Sequence, residues 1–465
     1  MRGPRQDAYA GRAAAQAMLD GDHVRAARLL VPRGPEAWIA FDEEVRRLHS
    51  RSYGALRSDR IEGRLCDVDG RIRASALAAW RVPPLQLVLI RCADWAAPVR
   101  ERARRVLGRM VAKNPEAILA FLVPFALRLG RREHGGWAVE QLEAALSGRY
   151  SLLAAWWRPG RPSTTWSWSS LTDEQSARVL EDLRTAKDLP TRRFAARLTL
   201  ATQRTDVREF ARRAAAEHDP LTARMWSDAA LAAMAADGPD DAAVDTLLAS
   251  RVPMVRAAGV TALRRAGRAA QAADHLTDRS GTVRACARWL LRQDGGDPYA
   301  HYRGLLADPE RVSGHAVTGF SECARRSDAP LLHALLDHPA DAVRAAALAG
   351  LRRLDATPED AVLLPLLEDP SASVAREASL CLRPVARRLD PVWLALRTAP
   401  EQPPHTRRAA FHLMLARGGA AASLASATLL ADPDPALRAL ASHSALAAAR
   451  RRTESSSMNR PPRGR

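Results

Sequence analysis

Residues 366–378 read LLEDPSASVAREA, and related stretches occur at 335–347, as LLDHPADAVRAAA, and at 429–439, as LLADPDPALRA. In each stretch a Leu-Leu pair ends one helix, a turn with proline follows, and an Ala-rich helix with an early arginine begins after the turn. A fourth copy starts at 305–309 and diverges at 312–314. Self-similarity at a fixed period is the sequence signature of repeat architectures, so this pattern decides the fold.

The arginine near the start of the second helix returns at a nearly constant interval. The positions that fit this slot are Arg73, Arg100, Arg193, Arg224, Arg256, Arg284, Arg344 and Arg438. Most of the steps between them are close to 31 residues or to a multiple of that number. The spacing therefore predicts about a dozen repeats of roughly 30 residues, from near residue 60 to near residue 450.

Each part of the repeat has a physical reason. Aspartate before proline favours a helix start, with Asp as N-cap and Pro at the first helical position. The residue before proline is pushed out of helical conformation, so the preceding helix ends there. In the second helix Val343, Ala347, Leu348 and Leu351 form one apolar stripe. Two helices of about 12 residues cannot bury this stripe alone and must stack on neighbouring pairs, which predicts an all-α solenoid.

The Asp-Pro turn, the Val-Arg opening and the Ala/Leu spacing resemble the HEAT repeats of the armadillo-type family, over roughly 85% of the chain. The resemblance implies a right-handed α-solenoid of about a dozen helix pairs. It also implies that the turn aspartate and the arginine of the neighbouring repeat form a ladder. On that basis Arg256, Arg284, Arg344 and Arg438 are expected to be struts between repeats rather than ligand contacts.

The repeat divides the chain into three predicted regions. Residues 1–60 form an N-terminal helical cap, and residues 61–450 form the repeat solenoid. The pattern is lost at 130–175, an irregular segment rich in tryptophan and arginine. Residues 451–465 have no apolar periodicity and are expected to be a disordered basic tail.

The formal charge of +18 is unevenly distributed. Residues 51–200 carry 26 basic and 15 acidic side chains, a net charge of +11. Arginine replaces lysine almost everywhere, since Lys113 and Lys187 are the only lysines, and a GC-rich coding bias is enough to explain that choice. A localised basic field attracts an anionic partner, which here favours an acidic protein, with nucleic acid as the other possibility.

A basic stripe is predicted on the helix that starts at Pro98. Its members are separated by steps of 3, 4 and 4 residues, which places them on one helix face. They are Arg102, Arg105, Arg109 and Lys113. The inner helices of a solenoid line its concave side, so the stripe is a candidate partner-binding surface. The alternative is an ordinary solvated face with arginines lying along apolar neighbours.

The irregular segment supplies the remaining predicted partner-binding residues. Loops on a rigid scaffold often carry binding residues, and Trp and Arg are enriched at interface hot spots. The candidates are Arg131, Arg132, Trp137, Trp156, Trp157, Arg158, Arg161, Trp166 and Trp168. The alternative is that these tryptophans fill the gap left by an irregular repeat.

The sequence offers little that indicates catalysis, so no catalytic residue, cofactor or metal site is predicted. The five cysteines are widely spaced and form no CxxC pair, and neither HExxH, GxSxG nor a glycine-rich phosphate loop occurs. No signal peptide is recognisable, and the longest apolar run, at 117–127, is too short to span a bilayer. A cytoplasmic location without membrane attachment is expected.

The combined prediction is a non-enzymatic scaffold or adaptor that binds an acidic protein on its concave face. The alternative is a nucleic-acid-binding protein similar to the HEAT-like DNA glycosylases for alkylated bases, whose sites pair Trp with a catalytic Asp. The pair Trp156-Trp157 is similar to that arrangement, but no Asp follows until Asp173. The pair Asp94-Trp95 also resembles it, yet Asp94 occupies the ordinary turn slot.

Overall fold

The computed structural model describes residues 4–31, 33–51, 59–79, 83–147, 171–202, 206–308 and 312–458, of which 447–458 are described by their backbone alone. In these ranges the chain consists of helices joined by turns, without any β-strand. The all-α prediction is therefore confirmed for the described residues. The handedness of a superhelix and the number of repeats stay predictions.

The chain divides into two compact units, residues 1–255 and 256–465, and the boundary falls inside α15 (Pro253–Leu263). The helices of the first unit are α1 (Pro4–Leu19), α2 (His23–Leu30), α3 (Pro35–Arg51), α4 (Ile61–Leu65), α5 (Gly70–Ala79), α6 (Leu85–Arg91), α7 (Ala97–Lys113), α8 (Pro115–Leu129), α9 (Gly136–Leu146), α10 (Asp173–Arg184), α11 (Leu189–Thr202), α12 (Val207–Ala216), α13 (Pro220–Asp237) and α14 (Asp241–Leu248). Helices α1, α2 and α3 lie within the predicted N-terminal cap.

The second unit continues the alternation of short and longer helices. Its helices after α15 are α16 (Gly281–Gln293), α17 (Pro298–Ala307), α18 (Gly314–Ser321), α19 (Ala329–His333), α20 (Asp341–Arg353), α21 (Asp360–Leu366), α22 (Ala372–Leu382), α23 (Pro391–Leu396), α24 (Pro404–Arg417), α25 (Gly419–Leu430) and α26 (Pro435–Met458). Short 3-10 helices occupy Ala269–His275, Arg326–Asp328 and Arg383–Val385.

The Asp-Pro helix start is found at some turns and not at others. Asp219, Asp297 and Asp390 are N-caps whose side chains accept a backbone N–H of the helix that follows, with proline next in the chain. Asp369 and Asp432 differ from this prediction, because α22 and α26 begin three residues later. Their carboxylates instead accept the backbone N–H two residues ahead through one oxygen, which closes a tight Asx-turn.

Helix-on-helix packing builds a continuous core in the second unit. The longer helices pack in sequence, α18 on α20, α20 on α22 and α22 on α24. The core between them is made of Leu, Val and Ala, with Phe320 and Phe411 fully buried. Tyr302 packs directly against the backbone of Gly319, which has no side chain. A Cβ added at Gly319 would lie 2.4 Å from the Tyr302 hydroxyl. This is the packing of neighbouring helix pairs that the apolar periodicity predicted.

In the first unit the same kind of packing supports the region of the predicted stripe. Helix α7 packs against α5, α6 and α8, and its inner face buries Val99, Ala103, Val106, Leu107 and Val111. Buried apolar residues of α3, α6, α8 and α10 join the same cluster. Helix α7 therefore buries one apolar face, whereas Arg109 and Lys113 of the same helix are exposed.

The structure describes helices in parts of two segments that the sequence analysis set apart from the repeat. Part of the segment 130–175 is regular, because α9 occupies Gly136–Leu146, while residues 148–170 lie outside the described chain. The backbone of α26 stays helical to Met458, eight residues into the segment for which disorder was predicted. None of the helices in the described ranges combines the length and the apolar character that crossing a bilayer requires.

Candidate functional site

Arginines of the repeated slot are held inside the turns. Arg344 donates from Nη1 to the carbonyl oxygens of His338 and Pro339 in its own turn, both at 2.9 Å. Its Nε and Nη2 donate to the two carboxylate oxygens of Asp369 in the next turn, at 3.1 and 2.9 Å. Arg256 binds Asp278 with the same fork, at 2.8 Å for both bonds. The predicted ladder role of Arg256 and Arg344 is confirmed.

The ladder varies where the turn sequence varies. Arg284 donates to the backbone carbonyl oxygen of Asp278 in its own turn. Its ion pair further along the chain is with Glu322, at the end of a helix, and not with a turn aspartate. Arg438 makes the two backbone bonds, to Asp432 O and Pro433 O, and has no forward carboxylate in the described chain. Arg224 departs from the prediction, because it is exposed and pairs only with Asp228 on its own helix.

One arginine–aspartate pair of the ladder, which we call a rung, was not identified by the sequence analysis. Arg407 donates to both oxygens of Asp432, at 2.9 and 3.0 Å, although residues 400–406 contain no Asp-Pro pair. The signal that could have found it is the spacing, since Arg407 precedes Asp432 by 25 residues, as Arg344 precedes Asp369. These bidentate contacts are strong because guanidinium and carboxylate match in geometry.

The most buried charges of the described chain surround Asp94 in the first unit. Its carboxylate accepts hydrogen bonds from Nε and Nη2 of Arg73, at 2.9 and 2.7 Å, and from Nη1 of Arg91, at 3.0 Å. Arg46 adds a longer contact of 3.3 Å. Arg91 also reaches Asp42, at 2.5 Å, so that two aspartates and three arginines form one network, which we call the Asp94 junction. Asp94 also accepts the backbone N–H of Ala96, as expected for a turn residue.

A solvent cleft of about 290 Å³ opens above the Asp94 junction. Its rim includes Trp95, which is 69% exposed, together with Arg132 and His134. An exposed tryptophan beside cationic groups can stack with a base or another planar group. The carboxylate of Asp94 is buried and accepts hydrogen bonds from three guanidiniums. It therefore offers no free oxygen for nucleophilic or base chemistry. The glycosylase-like interpretation of Asp94-Trp95 therefore gains a stacking group but no catalytic carboxylate.

The basic stripe differs from the ladder in its partners. Arg102 donates to the carbonyl oxygen of Ala74 on α5, at 3.0 Å, so it contributes to packing. Arg105, Arg109 and Lys113 pair with no carboxylate anywhere in the described part of the chain. Arg109 and Lys113 are exposed and Arg105 is half-buried. These three cations form the unpaired part of the predicted site.

The other predicted site residues divide into three groups. Arg131 is exposed and pairs with no carboxylate in the ranges that the structure describes, whereas Arg132 forms an ion pair with Glu43 at 2.9 Å. Trp137 receives the guanidinium of Arg104 on its ring face, 4.4 Å from the ring centroid. That cation–π contact was missed by sequence and makes Trp137 a packing residue of α7 and α9. The remaining predicted residues lie outside the described chain: Trp156, Trp157, Arg158, Arg161, Trp166 and Trp168.

The thiols of the chain are poor nucleophiles. Burial raises the pKa of the Cys92 thiol far above its usual range and that of Cys381 to about 11. Burial also raises the pKa of Cys66, with the neighbouring Asp42 carboxylate acting in the same direction. Thiolates are the reactive form, so these residues act as small apolar side chains near neutral pH. Within the described ranges, no group of three His, Cys, Asp or Glu side chains is placed to hold a metal ion.

A scan against models of protein families finds no match to this chain. A comparison with curated proteins likewise finds no significant similarity. The helical-repeat interpretation therefore depends on the sequence pattern and on the packing described above.

Proposed function

We propose that this protein is a cytoplasmic, non-enzymatic adaptor: a right-handed α-solenoid of about a dozen HEAT-like helix pairs that binds an acidic protein. The contact surface in this proposal centres on α7 of the first unit. Free cysteines suit a reducing compartment, and all five cysteines are free. The ladder supports the repeat assignment, because in similar forks the arginine and the aspartate are 21 to 26 residues apart.

The observation that carries the proposal is the contrast in pairing between two sets of basic residues. The ladder arginines have their positive charge compensated by a carboxylate within 3.1 Å. Among the residues that the structure describes, no carboxylate compensates Arg105, Arg109 or Lys113 in this way, although they lie on a well-packed helix. A rigid helix with successive cations four residues apart places them about 6 Å apart along its axis. Such a row is complementary to a surface with several carboxylates.

A protein partner is favoured over nucleic acid at α7 because the aromatic ring beside the stripe is occupied. The guanidinium of Arg104 covers one face of the Trp137 ring. Sequence-independent binding of single-stranded nucleic acid needs free aromatic faces on which bases stack. Nucleic acid remains the second candidate, and the exposed Trp95 at the cleft rim is the observation that favours it.

The test compares two charge-reversal variants of the full chain, with immobilised polyglutamate and a labelled DNA duplex as probes. The stripe variant is R105E/R109E/K113E, and the control variant is R25E/R28E/R71E, three exposed arginines elsewhere in the first unit. We expect polyglutamate binding of the stripe variant to fall at least about tenfold, and that of the control to change less than about twofold.

Two salt concentrations separate the candidate partners. Duplex affinity that falls linearly in a log–log plot against salt, and that is lost in the stripe variant, would assign the stripe to nucleic acid. Equal losses of polyglutamate binding in both variants would show that only the net charge matters, and the proposal would fail.

A further inference from the structure

A second basic surface lies in the second unit, between α22 and α24, and sequence analysis did not identify it. This surface is a groove of about 470 Å³, which we call the α22–α24 groove. Its basic lining consists of Arg376 of α22, Arg383 at the start of the 3-10 helix that follows α22, and Arg408 and His412 of α24. Leu380 contributes an apolar patch to the same lining. The volume is in the range of clefts that hold ligands or short peptide segments.

The charge of the groove is not neutralised by the protein itself. Arg383 and Arg408 are exposed and pair with no carboxylate in the described chain. Arg376 contacts Glu377, at 3.1 Å, but Glu377 is already bound by Arg352. No carboxylate belongs to the lining of the groove. Partial burial, followed by the charges of Arg383 and Arg408, lowers the pKa of His412, so both guanidiniums act on the groove interior.

The floor of the groove is fixed by packing. Ser379 donates its hydroxyl across the helix pair to the carbonyl oxygen of Ala409, at 3.1 Å, and both residues are buried. At one end of the groove, Nε2 of His405 lies 3.0 Å from the backbone carbonyl oxygen of Asp369. The side chain of the same aspartate binds Arg344. The cations are therefore presented by two helices that the ladder and the core hold in place.

The spacing of the cations indicates the form of the ligand. Arg383 directly follows the last residue of α22 and keeps a helical backbone, so its separation of seven residues from Arg376 corresponds to a rise of about 10.5 Å. In an extended peptide with polyproline II conformation, which has three residues per turn and rises about 3.1 Å per residue, side chains three residues apart share one face and are separated by about 9 Å. A single phosphate group would need guanidiniums that converge on one point, whereas these are distributed along the groove. The lining has no Trp, Tyr or Phe on which bases could stack, which disfavours single-stranded nucleic acid.

We propose that the α22–α24 groove binds an extended acidic peptide of a partner protein. Carboxylates three residues apart would meet Arg376 and Arg383, a further carboxylate would meet Arg408, and an apolar side chain between the acids would contact Leu380. This site is independent of the basic stripe on α7, so either proposal can fail without the other.

The test uses fluorescence anisotropy with the full chain and three labelled probes. The first is a peptide with Glu-Ala-Leu-Glu spacing, the second is a peptide of the same composition with adjacent glutamates, and the third is a thymidine oligonucleotide of equal charge. We expect the spaced peptide to bind more tightly than the peptide with adjacent glutamates. In R383E/R408E we expect its affinity to fall at least about tenfold.

The control variant is R265E/R292E, two exposed arginines of the same unit that do not line the groove. We expect it to change peptide affinity less than about twofold, and R105E/R109E/K113E to keep the peptide affinity of the wild type. If R383E/R408E loses its helical circular-dichroism spectrum, R383Q/R408Q replaces it. Equal losses in both double variants, or oligonucleotide binding tighter than peptide binding and dependent on Arg383 and Arg408, would overturn the proposal.

Discussion

The Asp94 junction of the first unit and the Arg344–Asp369 rung of the second use the same chemistry in different surroundings. In both, an arginine of one repeat forks onto the turn aspartate of the next. The side chains of Arg73 and Asp94 are fully buried, whereas those of Arg344 and Asp369 are 16% and 9% exposed. Two further arginines contact Asp94, whereas in the described part of the chain Asp369 forms an ion pair with Arg344 alone. Complete burial therefore accompanies a larger charge network, which makes the first unit more sensitive to loss of one carboxylate.

The largest effect is expected for Asp94→Asn. The substitution leaves the guanidiniums of Arg73 and Arg91 buried with one carboxylate fewer, and breaking a buried ion pair in this way costs about 3 to 5 kcal/mol. Urea unfolding should show a lower midpoint, and amide hydrogen exchange should show the loss of protection in α5 and α7. Unchanged exchange in these helices would mean that the junction is not important for stability.

Asp369→Asn is the matched change in the second unit, and a smaller effect is expected. Its rung is partly open to water and has a single guanidinium, so we expect a loss of about 1 to 3 kcal/mol, as for a hydrogen bond to a charged group. The loss of amide protection should be confined to α20 and α22. A cost equal to that of Asp94→Asn would show that burial does not explain the difference between the two junctions.

Much of this comparison could be predicted from sequence, and part of it could not. The slot arginines repeat in the sequence at a regular spacing, and the resemblance to HEAT repeats implied the ladder role of Arg256 and Arg344. Arg91 and Arg46 lie outside the slot, and their approach to Asp94 depends on how α3 and α6 pack, which no period encodes. The α22–α24 groove was missed for the same reason, because its cations come from two helices.

The predicted stripe shows the converse limitation. Helical spacing correctly placed Arg102, Arg105 and Arg109 on one face of α7, yet only the structure shows that Arg102 is held by a backbone carbonyl of α5. Spacing fixes which side chains share a face, whereas pairing depends on neighbours that are distant in sequence.

The Arg193–Asp219 pair, whose arginine side chain is partly exposed and whose aspartate is buried, extends the comparison to the pH dependence of stability. The fork of Arg193 holds the pKa of Asp219 well below its usual range, and hydrogen bonds from Thr222 act in the same direction. A depressed pKa in the folded state adds stability above the pKa of the unfolded chain, near 3.9, and this stability is lost as pH falls through the folded value. The stability difference between wild type and Asp219→Asn should therefore shrink below about pH 4. A constant difference from pH 7 to pH 3 would contradict this role of Asp219.

The smallest effect is expected at the end of the ladder. Arg438 makes the same two backbone hydrogen bonds as Arg344 but has no forward carboxylate in the described chain, and it is exposed. Arg438→Ala should change the unfolding free energy by about 0.5 kcal/mol, as for other surface substitutions, whereas Arg344→Ala should cost more. The difference between the two variants isolates the forward ion pair, because the contacts to the preceding turn are common to both. Equal losses would mean that the arginine fork stabilises its own turn and contributes nothing to the joining of repeats.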